Sequence, residues 1–286
     1  MSGALPIERV IPPGAARRRL RGRDPLLAGC VVVIAALVLM ALLAPLIAPH
    51  DPDASDILAA NEGSSLSHPL GTDSVGRDIL SRIIHGARLS LLGPALVVVA
   101  ATVGGVAVAL VTAWRGGRVD TVASRVLDIL FAFPGLIFAI LAVAMFGTGL
   151  VAPVIALSIA YLPYIARVIR SAAIRERALP YVEACQVAGM SPLRICWRHL
   201  LPNLLPYVAV QAAVSFGYAL VDLSALSYLG LGVQPPSAEW GRMVADGQAA
   251  ILNGNPEASL YAGMAIVVTV LAFNLLADRL VRRTAQ

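Results

Sequence analysis

The sequence contains no lysine: all 22 of its basic residues are arginine. That absence removes the P-loop lysine that holds nucleotide phosphates, the Schiff-base lysine of carbonyl chemistry and the kinase-type lysine. If ATP drives this system, another chain hydrolyses it. Charge of either sign is scarce, at 14% of residues, where a soluble domain carries roughly a quarter. The three cysteines, Cys30, Cys185 and Cys196, are too few and too unevenly spaced for a disulfide framework or a zinc site. They read as small apolar packing residues. The four histidines, His50, His68, His85 and His199, fall in loops or at the ends of apolar runs, without the His-Glu-x-x-His spacing of a metalloprotease. A Gly-x-Ser-x-Gly elbow, the mark of a serine hydrolase, is missing too. No catalytic residue, bound cofactor or metal ligand is expected in this chain.

What fills the sequence instead is apolar, 58% of residues, with a mean hydropathy of +0.79. An uncharged run near 20 residues spans a bilayer core of about 30 Å. Leu26–Ile47 is the first such run, too long for a signal-peptide core and lacking a clear cleavage site, so it is expected to stay as an anchor. Leu89–Trp114 is the second. Ile129–Ala166 is uncharged throughout; as one helix it would run about 57 Å at about 1.5 Å per residue. The "FGTGLVAP" stretch at 146–153 supplies a break, so it is counted as two spans. A fifth runs from about Leu205 to Leu229, interrupted by Asp222, and a sixth from about Ala258 to Ala277. The expected fold class is an all-α integral membrane protein with six transmembrane helices.

Orientation follows from the arginines. Arg9, Arg17, Arg18, Arg19, Arg21 and Arg23 precede the first span and place the N-terminus in the cytoplasm; six crossings return Arg279, Arg282 and Arg283 to the same side. The segments assigned outside are rich in acids, such as Asp51, Asp53, Asp56, Glu62, Asp73 and Asp78. The N-terminal arginines suit anionic lipid headgroups, and without aromatic interleaving or a binding module no nucleic-acid role is expected. A multi-pass protein of a bacterial inner (plasma) membrane, both termini cytoplasmic, is the result.

One cytoplasmic loop, "PYVEACQVAGMSPLRICWRHLLPN" at 180–203, has an internal order. Pro180 opens a helical pattern with Tyr181, Ala184, Cys185 and Ala188 on one stripe. Gly189 suits a left-handed C-cap, and Ser191-Pro192 reads as an N-cap followed by proline at the first helical position. A second short helix then places Leu193, Cys196, Trp197 and Leu200 on one stripe and is expected to stop at Pro202. Such a bent pair of amphipathic helices either rests on the membrane surface or seats in a groove on a soluble partner.

The stretch "EACQVAGMSPLRICWRHLLP" resembles the cytoplasmic EAA loop of binding-protein-dependent ABC importers, with Glu183, Ala184, Gly189, Leu201 and Pro202 at the family spacing. It departs at Cys185, where the family has a third small residue, and at His199, where isoleucine is usual. The resemblance implies that this loop is the coupling helix that docks into a cleft on the ATP-binding subunit. "HPLGTDSVGRDILSRIIHGARLSL" (68–91) and "LSYLGLGVQPPSAEWGRM" (226–243) resemble signatures of one of the two permeases in dipeptide, oligopeptide and nickel importers. Implied with it are an ABC importer type-1 transmembrane core over 88–280, one extra N-terminal helix plus outer segment over 25–87, and cytoplasmic tails at 1–24 and 281–286. The implied partners are a sister permease, two ATP-binding subunits carrying ATP and Mg, and an extracytoplasmic substrate-binding protein. Peptides are the expected cargo, with nickel complexes or haem-like cargo as the alternative; a passive channel or intramembrane enzyme is the reading from other classes.

Six further residues invite a reading. Arg77, Asp78 and Arg82 are expected at the outer membrane surface, pairing with one another or with a docked protein. Trp240 follows the Pro235-Pro236 turn, where an indole serves either as an interfacial anchor or as a contact for the binding protein. Asp128 is expected to pair with Arg125. Asp222 is deeper, and an intramembrane carboxylate is a functional candidate: it either lines the translocation path or bonds to backbone near Ser224.

Overall fold

A computed structural model describes residues 25–284, so the Arg-rich tail at 1–24 and the last two residues lie outside the described residues. The described chain is helical: α1 (Pro25–Leu42), α2 (Ala44–Ile47), α3 (Ile79–Arg115), α4 (Gly117–Phe131), α5 (Gly135–Phe146), α6 (Val151–Arg177), α7 (Pro180–Val187), α8 (Pro192–Ile195), α9 (Leu201–Tyr228), α10 (Trp240–Asp246), α11 (Gln248–Leu252) and α12 (Glu257–Thr284). Five stretches are long and apolar enough to cross a membrane: Pro25–Leu42, Ile79–Arg115, Val151–Arg177, Pro192–Tyr228 and Glu257–Arg282. The sixth candidate crossing is the pair α4 and α5, which meet at a bend of 78°. Pro134 makes that bend, because the residue before a proline is driven out of the helical region and α5 restarts with Pro134 as its N-cap.

Several boundaries differ from the sequence expectation. The second span begins ten residues early, at Ile79 rather than Leu89, so α3 runs unbroken through the 87/88 division set from sequence. The third does not begin at Ile129: its first half is the amphipathic α4, whose charges broke the uncharged run. Asp128 pairs with Arg167 at 2.6 Å, not with Arg125, and Asp120 receives a two-pronged bond from Arg170, so α4 is pinned to α6 from opposite sides of its length. The break at 146–153 falls where expected, between Phe146 and Val151.

α1 stops where it does because of Pro45, which lacks the N–H that would bond the carbonyl of Ala41. The side chain of Arg88 takes that carbonyl instead, Nε donating at 2.9 Å. At the centre, α3 and α6 approach closely through small residues, the packing a membrane interior favours. A Cβ on Gly105 would lie 3.0 Å from Ile165 Cγ2 and 3.1 Å from the backbone nitrogen of Ala166, so a larger residue would push the two helices apart by a few tenths of an ångström. α9 packs on α12 through stacked Phe216 and Phe273 rings, centroids 3.9 Å apart. Two buried clusters result. One lies towards the end holding α10 and the N-terminus of α3; the other lies beneath α7 and α8, at the opposite ends of α3 and α6.

Candidate functional site

α7 ends in a complete Schellman turn. Gly189 has φ +75°, its N–H donates to the Gln186 carbonyl at 2.9 Å, and the Met190 N–H reaches back to Cys185 O at 3.1 Å. A Cβ on Gly189 would meet nothing within 4 Å, so the left-handed backbone, not crowding within this chain, is what asks for glycine. Val182 is buried and Tyr181 and Cys185 half-buried against the bundle, while Glu183, Ala184, Val187, Ala188 and Gly189 are exposed. The expected Tyr181–Ala184–Cys185–Ala188 stripe is therefore split: Ala184 and Ala188 turn outwards, because Val182 takes the inner position. A face of small residues rimmed by Glu183, with Val187 85% exposed, is left uncovered by the rest of the chain.

The second loop helix is also rearranged. Ser191 stands at the N-cap of α8 and Pro192 at its first position, yet the Ser191 side chain makes no capping bond. Ile195, Cys196 and Leu200 face inwards; Leu193 and Trp197, expected beside them, are exposed and line a groove of about 360 Å³ against Trp114 and Leu110 of α3. The chain does not stop at Pro202. A π-helical turn, Cys196–Leu200, widens the backbone, the Leu201 N–H bonds Cys196 O, and α9 continues from there. The wider turn accommodates a proline ring that would collide with the carbonyl four residues back in a regular α-helix. Leu201 is half-buried and Pro202 exposed at the start of this long helix. His199 stands where the family pattern has isoleucine; its ring packs against Tyr181, centroids 6.4 Å apart.

Three polar side chains lock the loop to the bundle. Tyr181 Oη donates to Glu176 Oε1 at 2.8 Å, and Asn203 Nδ2 donates to the same oxygen at 2.7 Å and to Tyr181 Oη at 3.2 Å. One carboxylate thus joins the end of α6, the start of α7 and the start of α9. Burial, then the bond to Glu176, pushes the Tyr181 phenol up to about 12, so it remains a donor at physiological pH. Arg177 adds a bond to the Ala113 carbonyl at 2.6 Å, with its guanidinium 5.0 Å from the Trp114 ring centroid. Tyr181 is expected on an apolar stripe, but none of these polar contacts is legible in the sequence, because the partners lie up to 64 residues apart.

Between α4, α5, α6 and α9 lies a cavity of about 410 Å³ lined by Phe131, Phe133, Tyr161, Tyr164, Tyr218 and Asp222. Asp222 is half-buried and accepts a 2.9 Å bond from Tyr161 Oη, rather than one from backbone near Ser224.

At the far end, Arg77, Asp78, Arg82 and Trp240 are packed inside the chain. Arg82 is 1% exposed, donating to Pro52 O at 2.9 Å and facing Asp53 at 3.5 Å and Asp73 at 3.8 Å. Arg77 pairs with Asp73 at 2.7 Å and lies 3.6 Å from Asp246 of α10. Asp78 caps α3, its Oδ2 accepting from Ser81 N at 2.8 Å. Burial works to raise its carboxyl, but the bonds from Ser81 and His68 and the proximity of His50 prevail and hold it below the ordinary value. Trp240 is fully buried, not at an interface: its N–H bonds Ser90 Oγ at 2.9 Å and its Nε1 donates to Ile83 O at 3.0 Å. These contacts support the structural reading of the four residues, because their charges and indole are used in tying the outer segment and α10 to α3.

Residues 101–286 match the family described as binding-protein-dependent transport system inner membrane component, and residues 14–68 match the N-terminal TM domain of oligopeptide transport permease C. The chain belongs to the binding-protein-dependent transport permeases. This permease is 40% identical over 258 residues to the di/tripeptide transport system permease protein DppC of Pseudomonas aeruginosa, a match covering 88% of this chain and 85% of that protein. It is 41% identical over 259 residues to the dipeptide transport system permease protein DppC of Escherichia coli, covering 87% and 85%. To the glutathione transport system permease protein GsiD of Pectobacterium atrosepticum it is 36% identical over 265 residues, covering 92% and 87%. Its fold is similar to a chain of the inward-facing MetNI methionine ABC transporter, with a TM-score of 0.58 over 72% of the permease and 97% of that chain at 20% identity. The permease therefore has the type-1 ABC importer fold and is a multi-pass transport subunit that works with ABC partner subunits.

Proposed function

We propose that this permease forms half of the membrane pathway of an importer for short peptides. It pairs with a sister permease, two ATP-binding subunits and an extracytoplasmic substrate-binding protein, with both of its termini and α7–α8 on the cytoplasmic side. The observation that carries this is the exposed Ala184–Val187–Ala188–Gly189 face of α7, set at a fixed angle by the turn at Gly189 and locked to α6 and α9 by Glu176, Tyr181 and Asn203. Small residues let a partner's backbone come close, and the lock converts displacement of α7 into displacement of two membrane helices, a rigid-body gating motion. Hydrolysis of ATP with Mg belongs to the partner chains. Peptide cargo is supported by the names of the relatives, which transport dipeptides, di- and tripeptides and glutathione. Asp222 and its tyrosines line the path.

Gly189→Arg tests the docking. It imposes a left-handed penalty of roughly 1–2 kcal/mol and plants a charge on the docking face, where a Cβ meets nothing of this chain within 4 Å. The variant should insert and pair with its sister, while the ATPases dissociate or hydrolyse ATP without import. Gly189→Asn, which tolerates the left-handed region and adds no charge, should retain most function. ATPase co-purification, binding-protein-stimulated hydrolysis and import all at wild-type levels in Gly189→Arg would falsify the proposal.

A further inference from the structure

Three donors that the sequence scatters meet at the end of the bundle opposite α7. His50 follows α2, His68 lies in a tight turn where its N–H bonds Ser65 Oγ at 3.0 Å, and Asp78 caps α3. His68 Nδ1 is 3.0 Å from Asp78 Oδ1, His50 Nδ1 is 3.8 Å from Asp78 Oδ2, and a donor atom of each of the three lies within 4.8 Å of the others. We propose that His50, His68 and Asp78 form a binding site for a divalent transition ion of the zinc class.

The geometry is close to what such an ion requires. Tetrahedral zinc, with nitrogen and oxygen donors at about 2.0–2.2 Å, places neighbouring donors roughly 3.4 Å apart. His68 Nδ1 and Asp78 Oδ1, 3.0 Å apart, lie near that spacing, and His50 Nδ1, 3.8 Å from the other carboxylate oxygen, reaches it by a small turn of its exposed ring. The donor set, two imidazoles and one carboxylate, suits zinc rather than magnesium or calcium, which take oxygen donors. Ser81 is completely buried and orients two of the three: its hydroxyl donates to Asp78 Oδ2 at 2.6 Å and accepts the backbone N–H of His50 at 3.0 Å. Such outer partners fix a ligand's direction before the ion arrives. The His50 side chain is 40% exposed, which leaves an entry route and room for water as a fourth ligand.

A simple hydrogen-bonded cap explains less. Asp78 and His68 satisfy one another, but the His50 ring stops 3.8 Å from the carboxylate, beyond hydrogen-bonding reach, and lies against His68 with centroids 4.8 Å apart. The ion would clamp the segment after α2, the 65–71 turn and the start of α3. This inference is independent of cargo and of the docking at α7.

The test uses the full permease with its co-purified partner subunits, carrying a tag without histidine. Zinc binding by calorimetry and melting with ZnCl2 or MgCl2 should show one zinc per permease chain and a rise in Tm with zinc alone. His50→Ala keeps the backbone bond to Ser81, so it should melt like wild type without zinc, yet bind zinc at least tenfold more weakly and lose the zinc-dependent rise. Co2+ added to wild type should give the visible absorption of a tetrahedral site, a reading that needs no variant. Absence of zinc binding and of the Co2+ spectrum in wild type, or equal zinc binding in wild type and His50→Ala, overturns the site.

Discussion

Replacing Tyr181 by phenylalanine removes one oxygen from the junction of α6, α7 and α9. The lost bond is an O–H donated to the Glu176 carboxylate at 2.8 Å, and Asn203 loses its second acceptor at 3.2 Å. A hydrogen bond to a charged group contributes about 1.5–3 kcal/mol. Asn203 still holds Glu176 at 2.7 Å, and the exposed side of the cluster lets water replace part of the loss, so the lower figure applies. About 1.5 kcal/mol is roughly a tenfold shift between locked and unlocked junctions. The exposed face of α7 proposed to dock the ATPase is untouched, so the ATPases should still co-purify. Reconstituted with its partners, the Tyr181→Phe importer should hydrolyse ATP at near wild-type rate while moving up to about tenfold less peptide per ATP. Glu176→Gln should behave similarly. The Tyr181 phenol should not titrate in the physiological range. A phenol raised from 10.0 to about 12 contributes fully below 10 and loses that contribution only as pH rises towards about 12. Wild-type import per ATP in Tyr181→Phe would show that the junction does not carry the coupling.

Two other outcomes follow from the same geometry. Asp222→Asn should change transport rate or peptide range while the complex assembles, and Tyr161→Phe should shift it in the same direction through the lost 2.9 Å bond; uptake assays with several peptides check this, and unchanged uptake of all of them leaves Asp222 a structural residue. For topology, a cysteine replacing exposed Ser64 should react with an impermeant thiol reagent on intact cells, and one replacing exposed Arg118 should be protected. The reverse pattern inverts the orientation and removes α7 from the cytoplasm.

What the sequence discloses depends on how local the cause is. The turn at Gly189 is legible because a glycine followed by Ser-Pro is decided within a few residues, and the 146–153 break because two glycines interrupt an apolar run. The start of α3 is not legible, because a helix carrying Arg82 inside the protein needs Pro52, Asp53 and Asp73 brought to it from other segments. Trp240 misleads in the same way: an indole after a Pro-Pro turn suits an interface, and only the Ile83 carbonyl on α3 shows that it is buried. In α4, counting uncharged residues hides a helix whose charges are spent on Arg167 and Arg170 of α6. Nor does spacing alone bring His50 and His68 to Asp78.

The widened turn at Cys196–Leu200 has a mechanical consequence. Because the chain does not break at Pro202, α8 and α9 together make one rod from Pro192 to Tyr228, with a groove-lining Trp197 at one end and Asp222 towards the other. From Leu204, buried in the lower cluster, to Asp222 is about 27 Å at about 1.5 Å per residue. A tilt of about 5° about Leu204 sweeps Asp222 sideways by roughly 2 Å over that length, enough to break its bond to Tyr161. With the proposed docking at α7–α8, the π turn makes this helix a lever whose short arm is that loop and whose long arm ends at the carboxylate in the cavity.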